Sequence, residues 1–203
     1  MKTLFIPVKS KDSLDFSQLA KLNLPKNLAI AYSIQFQESA LALKDYLSKN
    51  YNILAFMQVL GCSKPTLPSS VEAIILVSTG RFHAISLAYE TSLPVYLLEN
   101  NSFVKINEKE VETLAKKRKG AYINYLNSKE LGIIVSTKPG QENLAKALSL
   151  KKKLKDKQSY LFITNNIDPL EFENFGLNCW INTACPRMDF NLPILNIADL
   201  NSC

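Results

Sequence analysis

The apolar positions of this chain fall into short continuous runs, separated by stretches in which they recur at helical spacing. "LAIAYS" (Leu28–Ser33) is unbroken by charge, as a strand buried on both faces requires. It is followed by "QESALALKDYLSKN", where Leu41, Leu43 and Leu47 sit among polar residues at roughly helical spacing and Asn50 supplies a stop. "ILAFM" (Ile53–Met57), "EAIILVST" (Glu72–Thr79) and "PVYLLE" (Pro94–Glu99) continue the series. Continuous rather than alternating runs, spaced by helices, predict a parallel sheet covered on both faces.

The theme then returns. "LGIIVST" (Leu131–Thr137) leads into "GQENLAKALSLKKKLKDK", then "SYLFITN" (Ser159–Asn165) and "LNCWINTA" (Leu177–Ala184). "IAYSIQFQESALALKDYL" lies over "IIVSTKPGQENLAKALSL" with a gap of about one residue; both read strand, Ser, Gln-Glu pair, and helix with Leu and Ala. A repeat of this size predicts a duplicated domain rather than a solenoid of small units. The expected fold class is α/β: two tandem, small, doubly wound domains with parallel sheets, related by internal duplication. They are expected over residues 1–107 and 131–203, with a bridging helix over 108–130 inside the charged stretch "NEKEVETLAKKRKGAYINYLNSKE" (Asn107–Glu130).

Composition narrows this picture only a little. A chain of 203 residues suits one large domain or two small ones, and no apolar stretch is long enough to cross a bilayer. The apolar run in "MKTLFIPVKSKDS" is too short for a signal-peptide core, so a cytoplasmic location is expected. The net charge of +6 gathers in "KKRK" (Lys116–Lys119) and "KKKLKDK" (Lys151–Lys157). Such runs fit solvated helix faces, or a surface that attracts RNA or an acidic protein. No aromatic residues interleave the lysines as a base-stacking platform would need, so nucleic acid is not an expected partner.

Ligands of parallel sheets bind beyond the carboxyl ends of the strands. Four polar stretches occupy such ends: "SIQFQ" (33–37), "STGRFH" (78–83), "STKPGQ" (136–141) and "NTACPRM" (182–188). Cys62, in "QVLGCSKP" (Gln58–Pro65), also follows a strand. Four cysteines (Cys62, Cys179, Cys185, Cys203) in a cytosol-type chain read as free thiols or metal ligands rather than disulfides. Two domains facing each other at their strand ends would bring Cys62 and Cys185 to one cavity. Cys179 precedes Cys185 by six positions, about 20 Å along an extended strand, and reads as a small buried hydrophobe. Cys203 would need the tail to fold back. In "STKPGQ", backbone amides at a helix start favour an anion and Gly140 allows close approach; a plain Ser or Thr cap is the other reading. There is no GxxxxGK or GxGxxG fingerprint for a nucleotide phosphate, and Trp180 reads as core.

Taken together and in order, "VLGCSKP", "GRFHA", "STKPGQ" and "NTACPRM" resemble the diphthamide-synthesis radical-SAM enzymes, over nearly the whole chain. The resemblance is to the second and third of that family's three homologous domains. It implies a 4Fe-4S cluster to which each domain donates one Cys, with S-adenosylmethionine on the fourth iron. It further implies transfer of the 3-amino-3-carboxypropyl group to a histidine of translation elongation factor 2. At the matching positions Cys62 and Cys185 become cluster ligands, since soft thiolate suits iron. The first domain and its Cys are then expected on a separate partner chain; substitution by Cys179 or Cys203, or loss of the cluster, are the alternatives.

Other residues at the strand ends carry expected roles around such a cofactor. His83, the single His, is a catalytic candidate that orients the methionine moiety or shuttles a proton, or else a structural hydrogen-bonder. Arg81, a second catalytic candidate, and Arg187 carry guanidinium forks suited to the cofactor's carboxylate; an ordinary salt bridge is the other reading of Arg81. Gln35, Thr137, Lys138, Gly140 and Gln141 are candidate cofactor contacts. Two further functional readings use the same fold: a non-catalytic scaffold or electron-delivery subunit, and a cluster-free α/β protein that binds a small molecule. No membrane partner is expected.

Overall fold

The structure, a computed structural model, describes residues 4, 6, 8–10, 19, 22–60, 65–186 and 194–201. The chain divides into two compact units, Met1–Leu114 and Ala115–Cys203.

The first unit runs β1 (Asn27–Tyr32), α1 (Gln37–Leu47), β2 (Asn52–Gln58), β3 (Ala73–Val77), α2 (Arg81–Thr91), β4 (Val95–Glu99) and β5 (Ser102–Lys105). Its strands are ordered β2-β1-β3-β4-β5, and the first four are parallel. Alternate side chains of each strand feed opposite faces. Leu28, Ile30 and Ile75 meet Leu43 and Leu47 of α1 on one side. Ala29, Ala31, Ile74 and Leu76 meet Ala84 and Leu87 of α2 on the other. The continuous apolar runs are therefore those of a sheet buried on both faces. The buried stripe of α1 is Ala40, Leu43 and Leu47, whereas Leu41 is 42% exposed. Position 41 falls off the face that positions 40, 43 and 47 share at helical period.

One edge departs from the expected parallel pattern: β5 pairs antiparallel with β4. Between them Asn100 and Asn101 take φ of 48° and 62°. Two left-handed residues in succession make the tight hairpin turn that matches strand twist, and Asn tolerates that conformation.

Helix α3 (Glu108–Asn127) carries the chain across the division between the units. The second unit continues with β6 (Glu130–Ser136), α4 (Leu144–Lys153), β7 (Gln158–Thr164), β8 (Trp180–Asn182) and β9 (Leu195–Asn196). Its sheet is parallel throughout, in the order β7-β6-β8-β9. In both units the first strand thus lies between the second and the third, and the fourth follows the third. Leu131, Ile133 and Val135 pack under α4, while Ile134 faces Phe172 and Trp180 on the opposite side.

β8 is shorter than the run Leu177–Ala184 suggested, because the chain turns after Asn182. The extended separation inferred for Cys179 and Cys185 therefore does not apply. Lys157 is not part of a solvated helix face either. Its ammonium donates to the carbonyls of Tyr125 (2.8 Å), Leu126 (3.1 Å) and Ser128 (2.6 Å), closing the C-terminal end of α3 where carbonyls lack helical partners. Lys116, Lys119 and Lys151–Lys153 are exposed. Among the described residues, no helix is long and apolar enough to cross a membrane.

Candidate functional site

In each sheet the chain reverses its direction of travel between the first and third strands, β1 and β3 in one unit, β6 and β8 in the other. The space beyond the carboxyl ends of such a strand pair is where open α/β sheets place ligands.

In the first unit these ends are tied together by hydroxyls. Ser33 donates to the Oγ of buried Ser78 at 2.5 Å, and the Ser33 amide donates to the Val77 carbonyl at 3.1 Å. The chain then turns at Gly80, whose φ of 89° favours glycine, and the Gly80 N–H donates to Glu99 Oε1 at 2.7 Å. Arg81, Phe82 and His83 form the first turn of α2. The Arg81 guanidinium forks onto Glu110, Nε to Oε1 at 3.1 Å and Nη2 to Oε2 at 2.7 Å. These hydrogen bonds hold the Glu110 carboxyl below the usual carboxylate range and make Arg81 a still weaker acid. Of the two readings of Arg81, this structure contains the salt bridge. His83 is half-buried, with its ring edge-on to Phe82 at 6.5 Å. Gln35 lies in the single 3-10 turn Ile34–Phe36 after β1, and its carbonyl accepts the Ser10 N–H at 2.8 Å.

In the second unit Thr137 leaves β6 with its N–H on the Thr164 carbonyl at 2.9 Å, and the Lys138 N–H donates to Ser136 Oγ at 3.1 Å. Lys138 to Gln141 form a turn closed by the Gln141 N–H on the Lys138 carbonyl at 3.0 Å. Pro139 stands second and Gly140 third with φ of 77°, the residue order of a type II turn. The helix expected to open within "STKPGQ" begins at Leu144 instead, because Pro139 pushes Lys138 out of helical conformation and Gly140 is left-handed. Neither Ser136 nor Thr137 caps α4.

Cys185 is a free, half-buried thiol just beyond β8. Its backbone is fixed by Asn182, which is 1% exposed. Asn182 Oδ1 accepts the Ala184 N–H at 2.9 Å, and Nδ2 donates to the Cys185 carbonyl at 2.9 Å and to Asn196 Oδ1 at 3.0 Å. Thr183 places both its N–H (3.1 Å) and its hydroxyl (2.7 Å) on the Ile134 carbonyl, and Asn143 Nδ2 reaches the Thr183 carbonyl at 2.8 Å. Asn143, Asn182 and Asn196 escaped the sequence reading; the "NT" ahead of "AC" was the available signal, since Asn closes turns through its own side chain.

Chain-wide similarity identifies the family. The model of the diphthamide synthesis protein family matches residues 1–201. This chain belongs to that family. Among its relatives, the 2-(3-amino-3-carboxypropyl)histidine synthase of Methanocaldococcus jannaschii is 32% identical over 205 residues, covering 93% of this chain and 56% of the relative. The synthase of the same name from Pyrococcus horikoshii is 30% identical over 135 residues, covering 64% of this chain and 39% of the relative. The crystal structure of Dph2 from Pyrococcus horikoshii with a 4Fe-4S cluster superposes with a TM-score of 0.75 at 24% identity, covering 91% of this chain and 59% of that one. That likeness shows the shared α/β fold. The chain spans about half the length of the curated relatives it matches.

Within this member of the family, the two described thiols differ in kind. Cys179 is 2% exposed in the core with Leu131 and Ile181. Burial pushes its thiol up to about 11, against the opposing pull of the Ser128 hydroxyl and the Lys157 ammonium. A thiol held protonated is a poor metal ligand. Cys185 is half-buried and lies just beyond the end of β8. Cys62, Arg187 and Cys203 lie outside the described residues.

Proposed function

We propose that this chain is a component of diphthamide synthesis that takes part in transferring the 3-amino-3-carboxypropyl group of S-adenosylmethionine to a histidine of translation elongation factor 2. Cys185 and Cys62 are the proposed ligands of a 4Fe-4S cluster. The supporting observation is a free, half-buried Cys185 at the carboxyl end of β8, in a chain that the family matches along residues 1–201. Cys185 fits such a group by its soft donor, its position beside the crossover and a backbone already tied down by Asn182. The remaining ligand is proposed to come from the part of the relatives' length that lies outside these 203 residues. When bound, the cluster supplies an electron for cleaving a sulfonium carbon–sulfur bond.

The chain's own residues bind and orient. The Lys138–Gln141 turn offers a cation and, at Gly140, close backbone approach to an amino-acid carboxylate. Arg187, Thr137 and Gln35 are proposed to complete the cofactor contacts. His83 is proposed to hold or pass a proton beside the substrate. Arg81 is proposed to act through position, because its fork on Glu110 anchors the first turn of α2, where His83 stands. The exposed lysines of α3 and α4 are proposed to draw in the protein substrate in the cytoplasm.

The test is iron and sulfide content of the chain assembled anaerobically with a protein that supplies the remaining portion. Cys185→Ser and Cys62→Ser should each lose most of the iron while the far-UV circular dichroism stays unchanged. Full iron content in both variants would sink the ligand assignment.

A further inference from the structure

Asn182 ends β8, with Ile134 on one side of it and Asn196 on the other in strand register. A buried carboxamide costs desolvation energy that an apolar residue at this position would avoid. Two of its three side-chain bonds go to the turn that follows and one to the neighbouring strand β9: Oδ1 takes the Ala184 N–H, and Nδ2 gives to the Cys185 carbonyl and to Asn196 Oδ1. The backbone is thus held at the residue before the thiol and at the thiol-bearing residue itself. Asn196, on the far stem of the same loop, holds the clamp in place. Thr183 supplies a separate tether through Ile134, so the turn is bonded on both of its flanks.

We propose that Asn182 is the positioning residue of the Cys185 turn, setting the direction in which the thiol is presented to a thiophilic metal centre. The inference rests on the reading of Cys185 as a ligand. A ligand thiolate held in one orientation binds without first ordering its loop, and its sulfur orbitals meet the metal at one angle. Asn182 therefore governs both how often the thiol leaves its seat and the electronic signature of what it binds.

Two readouts test this on the full chain. The first is iodoacetamide labelling of Cys185 at one fixed pH, without iron, followed by peptide mass spectrometry. Asn182→Ala should raise the labelling rate about tenfold, the effect of losing one or two hydrogen bonds that hold the turn shut. Asn182→Asp keeps the acceptor for Ala184 but sets a carboxylate oxygen against the Cys185 carbonyl and Asn196 Oδ1, so it should raise the rate at least as much as Ala. Asn196→Ala, which leaves the Asn182 bonds to Ala184 and Cys185 in place, should move the rate less than Asn182→Ala. If Asn182→Ala does not fold, Asn182→Asp and Asn196→Ala carry the comparison. The second readout is the electron paramagnetic resonance spectrum of the assembly reconstituted with iron and sulfide and reduced with dithionite, which the Asn182 variants should change in g-values while iron remains bound. Labelling rates all within twofold of wild type overturn the proposal, and so does faster labelling with an unaltered spectrum. Cys185→Ser in the same loaded assembly separates the two claims: if it leaves the spectrum unchanged, the ligand reading itself fails, whatever Asn182 does.

Discussion

Gly132 faces Trp180 across the β6–β8 pair so closely that a methyl group on Gly132 would lie 2.3 Å from the indole ring. The ring has no room to yield. It stacks on Phe172 at 4.3 Å, packs against Phe162 at 4.7 Å, and donates Nε1 to the Leu177 carbonyl at 3.2 Å. Gly132→Ala is expected to destabilise the second unit by about 1–3 kcal/mol through overpacking. Trp180 is the one Trp of the chain, so urea unfolding followed by its fluorescence reads this unit directly. An unchanged midpoint would contradict the packing described.

Gly120 predicts the opposite sign. It lies within α3, and an added Cβ would meet nothing within 4 Å. Gly120→Ala should stabilise the chain by about 0.4–1 kcal/mol, because Ala restricts the unfolded chain and favours helix. A lowered thermal midpoint in the variant would count against this geometry for α3.

The Arg81–Glu110 pair sets a pH dependence. The folded Glu110 carboxyl lies below its ordinary value, so its stabilising contribution is present at neutral pH. It is lost as pH falls below the ordinary carboxylate range and through the folded value. The side chains are 44% and 32% exposed, which keeps the contribution to roughly 0.2–1 kcal/mol. Glu110→Gln should be less stable than wild type at pH 7, and the gap should shrink below about pH 4. A gap of constant size across that range would remove the ionic explanation.

Cys179 and Cys185 should differ in reactivity. With its thiol pushed up to about 11 by burial, Cys179 should stay unlabelled by iodoacetamide at neutral pH in the folded chain, while Cys185 reacts. The same shift has a stability consequence of known sign: the folded value lies above the unfolded one, so stability falls as pH rises from about 9 towards 11. Equal labelling of the two cysteines under native conditions would refute the buried placement.

The strands were legible because "LAIAYS", "EAIILVST" and "LGIIVST" are continuous apolar runs, and a sheet covered on both faces leaves no polar alternation to confuse them. β5 was not, since four residues with two half-buried side chains give almost no period to read; only the paired Asn100 and Asn101 marked its hairpin. The stretch "STKPGQ" predicts a helix start, but Pro139 followed by Gly140 carries type II turn chemistry, and the turn prevails over the helical pattern downstream. Cys185 stood out by residue type and place. Its support did not, because Asn182 and Asn196 are fourteen positions apart and only strand register brings them together. Arg81 shows the converse: its fork was legible, but its partner, Glu110, lies 29 residues on and no local pattern points to it.

Whether this chain works in diphthamide synthesis through Cys185 is read on the protein substrate itself. Elongation factor 2 would be incubated anaerobically with the chain, a protein supplying the remaining portion, S-adenosylmethionine and a reductant, then digested and analysed by mass spectrometry. One 3-amino-3-carboxypropyl group on one histidine is expected with the wild-type chain, and none with a folded Cys185→Ser chain. An unmodified factor in the wild-type reaction, or modification at the wild-type rate by Cys185→Ser, would contradict it.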